Sequence, residues 1–191
     1  MNINYREDAL LLIKWVEAVH PIFYLNEIPP TYEARRNAYS SNTETPMPRW
    51  SFLAESMKYL AVLNDGHMGG GLIDSSSQYL LVDVIYRDGK LYTLNDGALH
   101  DEIIAICDVL VQDILKAIDV LTFAENEFAR IRLYKKMCRL PQFWDYAGCK
   151  SISNPTITLK NADGEHRQEA TLAPRRQHSD DIKYIIRGCL T

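Results

Sequence analysis

Apolar residues recur at spacings of three and four through the first third of the chain, the pattern of helices that bury one face. The pattern predicts a helix over residues 5–24, a short helix over 32–39 and a second long helix over 49–63. Pro21 is expected to kink or end the first helix, because proline has no backbone N–H to donate. The apolar face of that helix is predicted to consist of Leu11, Leu12, Trp15, Val16, Val19 and Phe23.

The pattern changes after a glycine-rich turn at residues 64–71, and strand-like runs begin. Strands are predicted over 78–87 and 90–94, joined by the two-residue hairpin turn Asp88-Gly89. The remaining predicted elements are a strand over 102–107, helices over 111–123 and 125–139, a strand pair over 156–160 and 167–172, and a last strand over 183–188. Pro141 is expected to end the second of these helices, which turns Phe128, Ile131, Leu133 and Met137 inward. The predicted inward face of the helix at 111–123 consists of Ile114, Leu115, Ile118 and Leu121.

These elements predict an α+β protein with two parts. Residues 1–75 form a helical N-terminal domain, and residues 76–191 form a mixed strand and helix domain with a C-terminal extension.

Composition narrows the class of protein. Apolar residues make up 47% and charged residues 24%, which is typical of a globular chain, and the net charge of -4 does not favour nucleic acid as a partner. No apolar stretch is long enough for a membrane helix and no basic segment opens a signal peptide, so a cytoplasmic protein is expected. The four cysteines form no C-x-x-C pair, so neither a metal site nor a cofactor is predicted.

Five short segments, in this order, resemble one family. The first helix ends in His20-Pro21-Ile22-Phe23-Tyr24. Residues 63–68 match a Leu-x-Asp-Gly-His-Thr motif, except that methionine replaces threonine. Asp101, Ile103 and Ile106 precede a helix, and segments 125–140 and 156–172 follow. This arrangement resembles the N-terminal helical domain and PDZ-like module of the tricorn-like and C-terminal-processing serine peptidases. Cys107-Asp108 departs from it, because the family has an Asn-Gly turn there.

The resemblance implies a peptidase whose catalytic α/β domain is absent from this sequence. That domain would supply the nucleophilic serine, and peptide hydrolysis needs a nucleophile, a base and an oxyanion hole within reach of one another. The leading expectation is therefore a non-catalytic relative that binds a peptide or protein partner. The alternatives are one piece of a split peptidase, active only with a catalytic-domain partner, and an interaction or inhibitor protein on the same scaffold.

His67 and Asp65 are the candidate catalytic residues. A histidine oriented by a carboxylate can act as a general base, and the resemblance places a catalytic histidine near this position. The alternative is structural: Asp65-Gly66-His67 ends a helix, Gly66 adopts a left-handed conformation, and the imidazole bonds a backbone group. The structural interpretation is favoured, because no nucleophile is identified.

Two further candidates concern binding. Gly69, Gly70 and Gly71 would let a ligand backbone approach closely or would cradle an anion, although a flexible connection is the favoured interpretation. Ser75-Ser76-Ser77 is interpreted as loop, because no Gly-x-Ser-x-Gly elbow surrounds it. A PDZ-like unit binds peptides by adding a strand to its sheet, and the groove is predicted between a strand and the helix at 111–123.

Overall fold

A computed structural model describes residues 2–66, 78–95, 98–150, 152 and 154–174. The chain divides into two compact units, the first comprising Met1–Leu72 with Val120–Glu125 and the second Ile73–Asp119 with Asn126–Thr191. Helices and antiparallel sheets are both present, which confirms the α+β class. The predicted domain boundary at residue 75 lies outside the described residues and stays a prediction.

Unit 1 is helical. Its elements are α1 (Arg6–Val19), α2 (Pro21–Tyr24), α3 (Tyr32–Asn42) and α4 (Arg49–Ala61), with the short antiparallel pair β1 (Asn2–Ile3) and β2 (Met47–Pro48). The predicted break at Pro21 is confirmed: His20 is extended, with φ -77° and ψ 128°, and the chain starts α2 at the proline.

The buried face of α1 differs from the predicted one. Ala9, Ile13 and Val16 are buried, whereas Leu11 is 65% exposed and Trp15 and Val19 are about half exposed. Apolar residues lie on two faces of this helix, so periodicity alone could not choose between them. Packing decides which face is buried, because Ala9, Ile13 and Val16 join the tyrosine rings of α3 and α4 in one buried cluster.

Three tyrosines occupy the centre of unit 1. Tyr39 and Tyr59 stack with ring centroids 4.9 Å apart, and the Tyr59 hydroxyl lies 2.9 Å from that of Tyr32. Tyr39 shares a 2.8 Å hydroxyl contact with Ser56. Each phenol therefore has a partner, which is the condition for burying a polar group without a large penalty.

Unit 2 contains two antiparallel sheets. Its strands are β3 (Gln78–Leu80), β4 (Asp83–Arg87), β5 (Lys90–Asn95), β6 (Ala98–Ile106), β7 (Val109–Leu110), β8 (Thr156–Asn161), β9 (Gly164–Glu169) and β10 (Leu172–Pro174). The larger sheet has the order β4-β5-β6-β8-β9, with β7 beside β6, and the smaller pairs β10 with β3.

The single strand predicted over 78–87 is in fact two strands in different sheets. The chain bends at residues 81 and 82, where the Leu81 N–H donates to Thr171 O at 2.8 Å. For the same reason the second strand of the C-terminal pair ends at Glu169, and Leu172–Pro174 pairs with β3 instead. Partner strands distant in sequence set this division, and local alternation does not reveal them.

The predicted Asp88-Gly89 hairpin is confirmed, with positive φ values of 51° and 81° at its two residues. Cys107-Asp108, between β6 and β7, also has two positive φ values, 50° and 64°. This turn therefore has the backbone that Asn-Gly would adopt, although neither residue is a glycine.

Three helices complete unit 2, namely α5 (Val111–Leu121, whose last two residues count with unit 1), α6 (Glu127–Met137) and α7 (Pro141–Tyr146). The predicted inward face of α5 is confirmed, since all four of its residues are buried. The inward position of Phe128 is wrong, because this residue of α6 is 86% exposed. The predicted end of the helix is confirmed, since α6 ends at Met137 and Pro141 then opens a further helix, because its fixed φ suits a first helical position.

Among the described residues, no helix has the length and apolar character needed to cross a membrane.

Candidate functional site

Asp65, a predicted catalytic residue, contacts a histidine other than His67. Its Oδ2 lies 3.1 Å from Nε2 of His20, which is 45 residues earlier in the chain and only 7% exposed. The Nδ1 atom of His20 accepts a hydrogen bond from the Ile22 backbone N–H at 3.3 Å. The two segments that resemble peptidase motifs in the first helical domain therefore meet in space.

The hydrogen bonds of His20 define its tautomer. Because Nδ1 accepts an N–H, the ring proton resides on Nε2 and is donated to Asp65. Both ring nitrogens thus contact the protein's own groups. The pair caps α2 at its N-terminus and attaches the loop after α4 to the α1–α2 corner.

The His20→Ala variant is expected to lower the free energy of unfolding by about 1–3 kcal/mol, because it leaves the Ile22 N–H and the Asp65 carboxylate without their partner. Chemical denaturation monitored by circular dichroism measures the change. His100→Ala is the matched control, since His100 lies at the same 3.1 Å from an aspartate, Asp101, but is exposed. A loss no larger than the control's would show that the buried pair has no structural role.

The predicted left-handed conformation of Gly66 is wrong. The left-handed residue is Asn64, with φ 55°. A Cβ on Gly66 would lie 3.0 Å from Oε1 of Glu125, the same atom that accepts the Gly66 N–H at 3.3 Å. A side chain here would displace the carboxylate that the backbone binds.

His67, Gly69, Gly70 and Gly71 lie outside the described residues, as does Ser75-Ser76-Ser77. Their predicted roles stay predictions. Within the part of the chain that the structure describes, no group of His, Cys, Asp and Glu side chains could hold a metal ion.

A groove that sequence reasoning did not locate lies in unit 2, between β4 and α6, and we call it the β4–α6 groove. Its volume is about 570 Å³, and it is lined by Tyr79, Asp83, Val84, Leu94, Phe128, Ile131, Arg132, Lys135, Lys136 and Arg139. The groove predicted from the sequence was placed along the helix at 111–123, whereas this one follows α6. Residues 128, 131, 132, 135 and 139 recur at helical spacing, but only Phe128 and Ile131 among them belong to the predicted inward face.

Two sets of contacts hold the walls of the groove in place. Tyr134 of α6 meets Tyr86 of β4 edge to face, with ring centroids 4.9 Å apart, and its hydroxyl donates to Asp119 at 2.6 Å. Burial, together with this hydrogen bond, raises the pKa of Tyr134 above its ordinary range. Beyond the end of α6, Arg139 Nε donates to Leu80 O at 3.1 Å, and Leu80 N donates to Arg139 O at 2.9 Å.

Two cysteines that are distant in sequence are neighbours in unit 2. Cys107 and Cys149 are both buried with reduced thiols. Burial, and secondly a hydrogen bond with the Cys149 thiol, raises the pKa of Cys107 to about 11. The thiolate, which is the nucleophilic form, is therefore disfavoured at neutral pH, as expected of cysteines that serve packing.

The fold is shared with solved structures of CPAF, a Chlamydia serine protease with a C-terminal-processing-like fold. The mature enzyme matches with a TM-score of 0.57 and 18% identity, over 90% of this chain and 35% of that chain. Its complex with lactacystin matches with a TM-score of 0.61, 18% identity and the same coverage of both chains. A serine-to-alanine mutant gives a TM-score of 0.54 at 18% identity, over 90% of this chain and 34% of that chain.

The present chain spans about a third of the length of these CPAF chains. At such low identity the likeness establishes the fold alone. No protein-family model matches the sequence, and no curated protein is similar to it.

Proposed function

We propose that this protein binds an extended segment of a partner protein, which adds a strand to the edge of β4 and covers the β4–α6 groove. The observation that carries the proposal is the coincidence of a sheet edge with a partly apolar groove, flanked by a helix. Strand addition uses both features, because backbone hydrogen bonds give affinity and a groove for alternate side chains gives specificity.

The edge of β4 supplies the backbone groups. Among the described strands, β4 pairs only with β5, through a register in which Arg87 faces Lys90 across the two-residue turn. Such a tight turn is flanked by a hydrogen-bonded pair, and pairs alternate along an antiparallel ladder. The backbone groups of Ile85 are therefore directed to β5, and those of Val84 and Tyr86 to the opposite side.

The groove supplies the apolar contacts. Val84, Leu94 and Ile131 line it, and Phe128 stands at its rim with 86% of its surface exposed. Large aromatic side chains are enriched among the residues that dominate binding energy. A ring as exposed as Phe128 contributes little to packing in the free chain, which favours a role in contact with a partner.

The proposal assigns a binding role rather than a catalytic one. It is consistent with the contacts of the two His20 ring nitrogens, one with the Asp65 carboxylate and the other with the Ile22 N–H. The likeness to CPAF supports the fold and no more, so a peptidase assay of the chain is a separate check. Inhibitor-sensitive hydrolysis by the purified chain would contradict the non-catalytic role.

A library of random eight-residue peptides, displayed on phage, tests the binding itself. Methylation of every second backbone nitrogen is expected to abolish binding of a selected peptide in one of the two possible series and to leave it intact in the other. The reason is that only one edge of an added strand faces β4. Failure to enrich any peptide over a heat-denatured control, or methylation effects without a two-residue period, would overturn the proposal.

The Phe128→Ala variant is expected to bind the selected peptides about tenfold more weakly, or weaker still. Its effect on stability should be small, because the ring is exposed in the free chain. Leu11→Ala is the control, since Leu11 is an exposed apolar residue of unit 1 that does not line the groove. Fluorescence anisotropy with labelled peptides measures the affinities, and equal effects of the two substitutions would remove Phe128 from the binding surface.

A further inference from the structure

We infer that the segment bound in the β4–α6 groove is acidic, with glutamate or aspartate at alternate positions facing α6. This inference rests on the proposed function, since it names the chemistry of the peptide that the groove would accept.

The charge of the groove is opposite to that of the chain. Its lining includes Arg132, Lys135, Lys136 and Arg139 but a single acidic residue, Asp83, whereas the whole chain has a net charge of -4. A local excess of positive charge on an acidic protein attracts anionic partners to that surface.

Two of these cations, Arg132 and Lys135, have no acidic partner among the described residues. Arg139 is committed to Leu80 O and approaches Asp83 Oδ1 at 3.4 Å. Arg132 and Lys135 make no side-chain hydrogen bond or ion pair in the part of the chain that the structure describes. By contrast Arg130, on the same helix but outside the groove lining, approaches both Asp119 and Glu127, at 3.8 Å and 3.6 Å.

The position of Arg132 separates this inference from an ordinary helix-end effect. Lysines in the last turn, such as Lys135, stabilise a helix by complementing its dipole. Arg132 lies in the middle of α6, where that effect is absent. A role in contact with a ligand accounts for it.

The spacing suits an extended peptide. Residues 132 and 135 are separated by about 4.5 Å along the helix axis. Side chains at alternate positions of a strand are about 6.6 Å apart, and the long side chains of arginine and lysine cover the difference. Phe128 and Ile131 precede them on the same face, so the apolar end of the segment is expected to lie there.

Two capped peptides test the inference: acetyl-Val-Thr-Glu-Val-Glu-Thr-Val-amide and its analogue with both glutamates replaced by glutamine. The acidic peptide is expected to bind about tenfold more tightly at low salt, with a difference that shrinks at high salt because exposed charges are screened. Arg132→Gln is expected to reduce the difference to about threefold or less. Arg130→Gln removes the same charge from the same helix and should leave the difference unchanged.

The outcomes separate this inference from the proposed function. Equal affinity of the two peptides, with the two-residue methylation period retained, would overturn the acidic preference and leave strand addition intact. A second contrary outcome is that the glutamine peptide regains full affinity when its C-terminus is a free carboxylate. The groove would then recognise a chain terminus, and the acidic preference would be overturned. Displacement of the acidic peptide by an eight-residue oligothymidylate would indicate general anion binding instead. If neither these peptides nor any library peptide binds, the proposed function itself is wrong.

Discussion

The Trp144→Ala variant is expected to lose about 3–5 kcal/mol of unfolding free energy, because it empties a site in which the indole is completely buried. The substitution also removes the hydrogen bond from Trp144 Nε1 to Cys138 O, 2.6 Å long. Cys138 directly precedes Arg139, which contacts the end of β3. We therefore expect the groove to lose peptide affinity together with stability.

Urea denaturation monitored by circular dichroism measures the loss. The Trp144→Phe variant is the control, because it keeps a buried aromatic ring while it removes the N–H donor and part of the indole. It is expected to cost about 1–3 kcal/mol, since the Cys138 carbonyl is then left unsatisfied. A loss below 1 kcal/mol for the alanine variant would show that α7 does not support unit 2.

Unit 1 is expected to lose stability steeply above pH 10. Burial raises the pKa of Tyr39 from its ordinary value of 10.0 to about 12. Burial is also the largest reason that the pKa values of Tyr32 and Tyr59 are raised. The neutral phenols are favoured in the folded state, so their contribution is fully present below the pKa of the unfolded chain. It is lost as the pH rises toward the folded pKa values.

The size of this effect follows from proton linkage. Between pH 10 and 12 the unfolded chain releases protons that the folded chain retains, which costs about 1.4 kcal/mol per pH unit for each tyrosine. Tyr39 alone therefore gives a slope that approaches about 1.4 kcal/mol per pH unit in this range, and Tyr32 and Tyr59 steepen it, because their pKa values are raised as well. Denaturation curves at pH 8, 10 and 11 check the slope.

A variant without one of the phenols isolates the cause. Tyr39→Phe is expected to reduce the slope by about 1.4 kcal/mol per pH unit. Ile13→Val, which costs about 0.5–1.5 kcal/mol without removing an ionisable group, should keep the full slope. A slope unaffected by Tyr39→Phe would assign the alkaline loss to other groups.

The elements of the fold were largely predictable, because helix and strand periods are local properties of the sequence. The break before Pro21, the Asp88-Gly89 turn and the inward face of α5 each follow from residues within one element. The errors concern partners distant in sequence. The face that α1 buries depends on the rings of α3 and α4, and the division of 78–87 depends on β10.

The candidate site was less predictable for a related reason. Asp65 is a candidate that the sequence shows, but its contact with His20 joins the loop after α4 to the residue between α1 and α2, and only the fold brings them together. The β4–α6 groove depends on β4 lying at a sheet edge, which no local pattern reveals. Phe128 is predicted to face inward because apolar residues usually do, although an aromatic residue followed at helical spacing by Arg132 and Lys135 is the more informative signal.

The opposite edge of the larger sheet has a consequence for how far that sheet can grow. All six residues of β9 are exposed, and within the described chain this strand pairs only with β8. Its charged side chains Glu165, Arg167 and Glu169 protect the edge as lysines and glutamates do in natural sheets. A sheet open at both edges can join copies head to tail without limit, whereas this one offers a groove on one side only. In the proposed complex one chain is therefore expected to accept one segment, at the edge of β4.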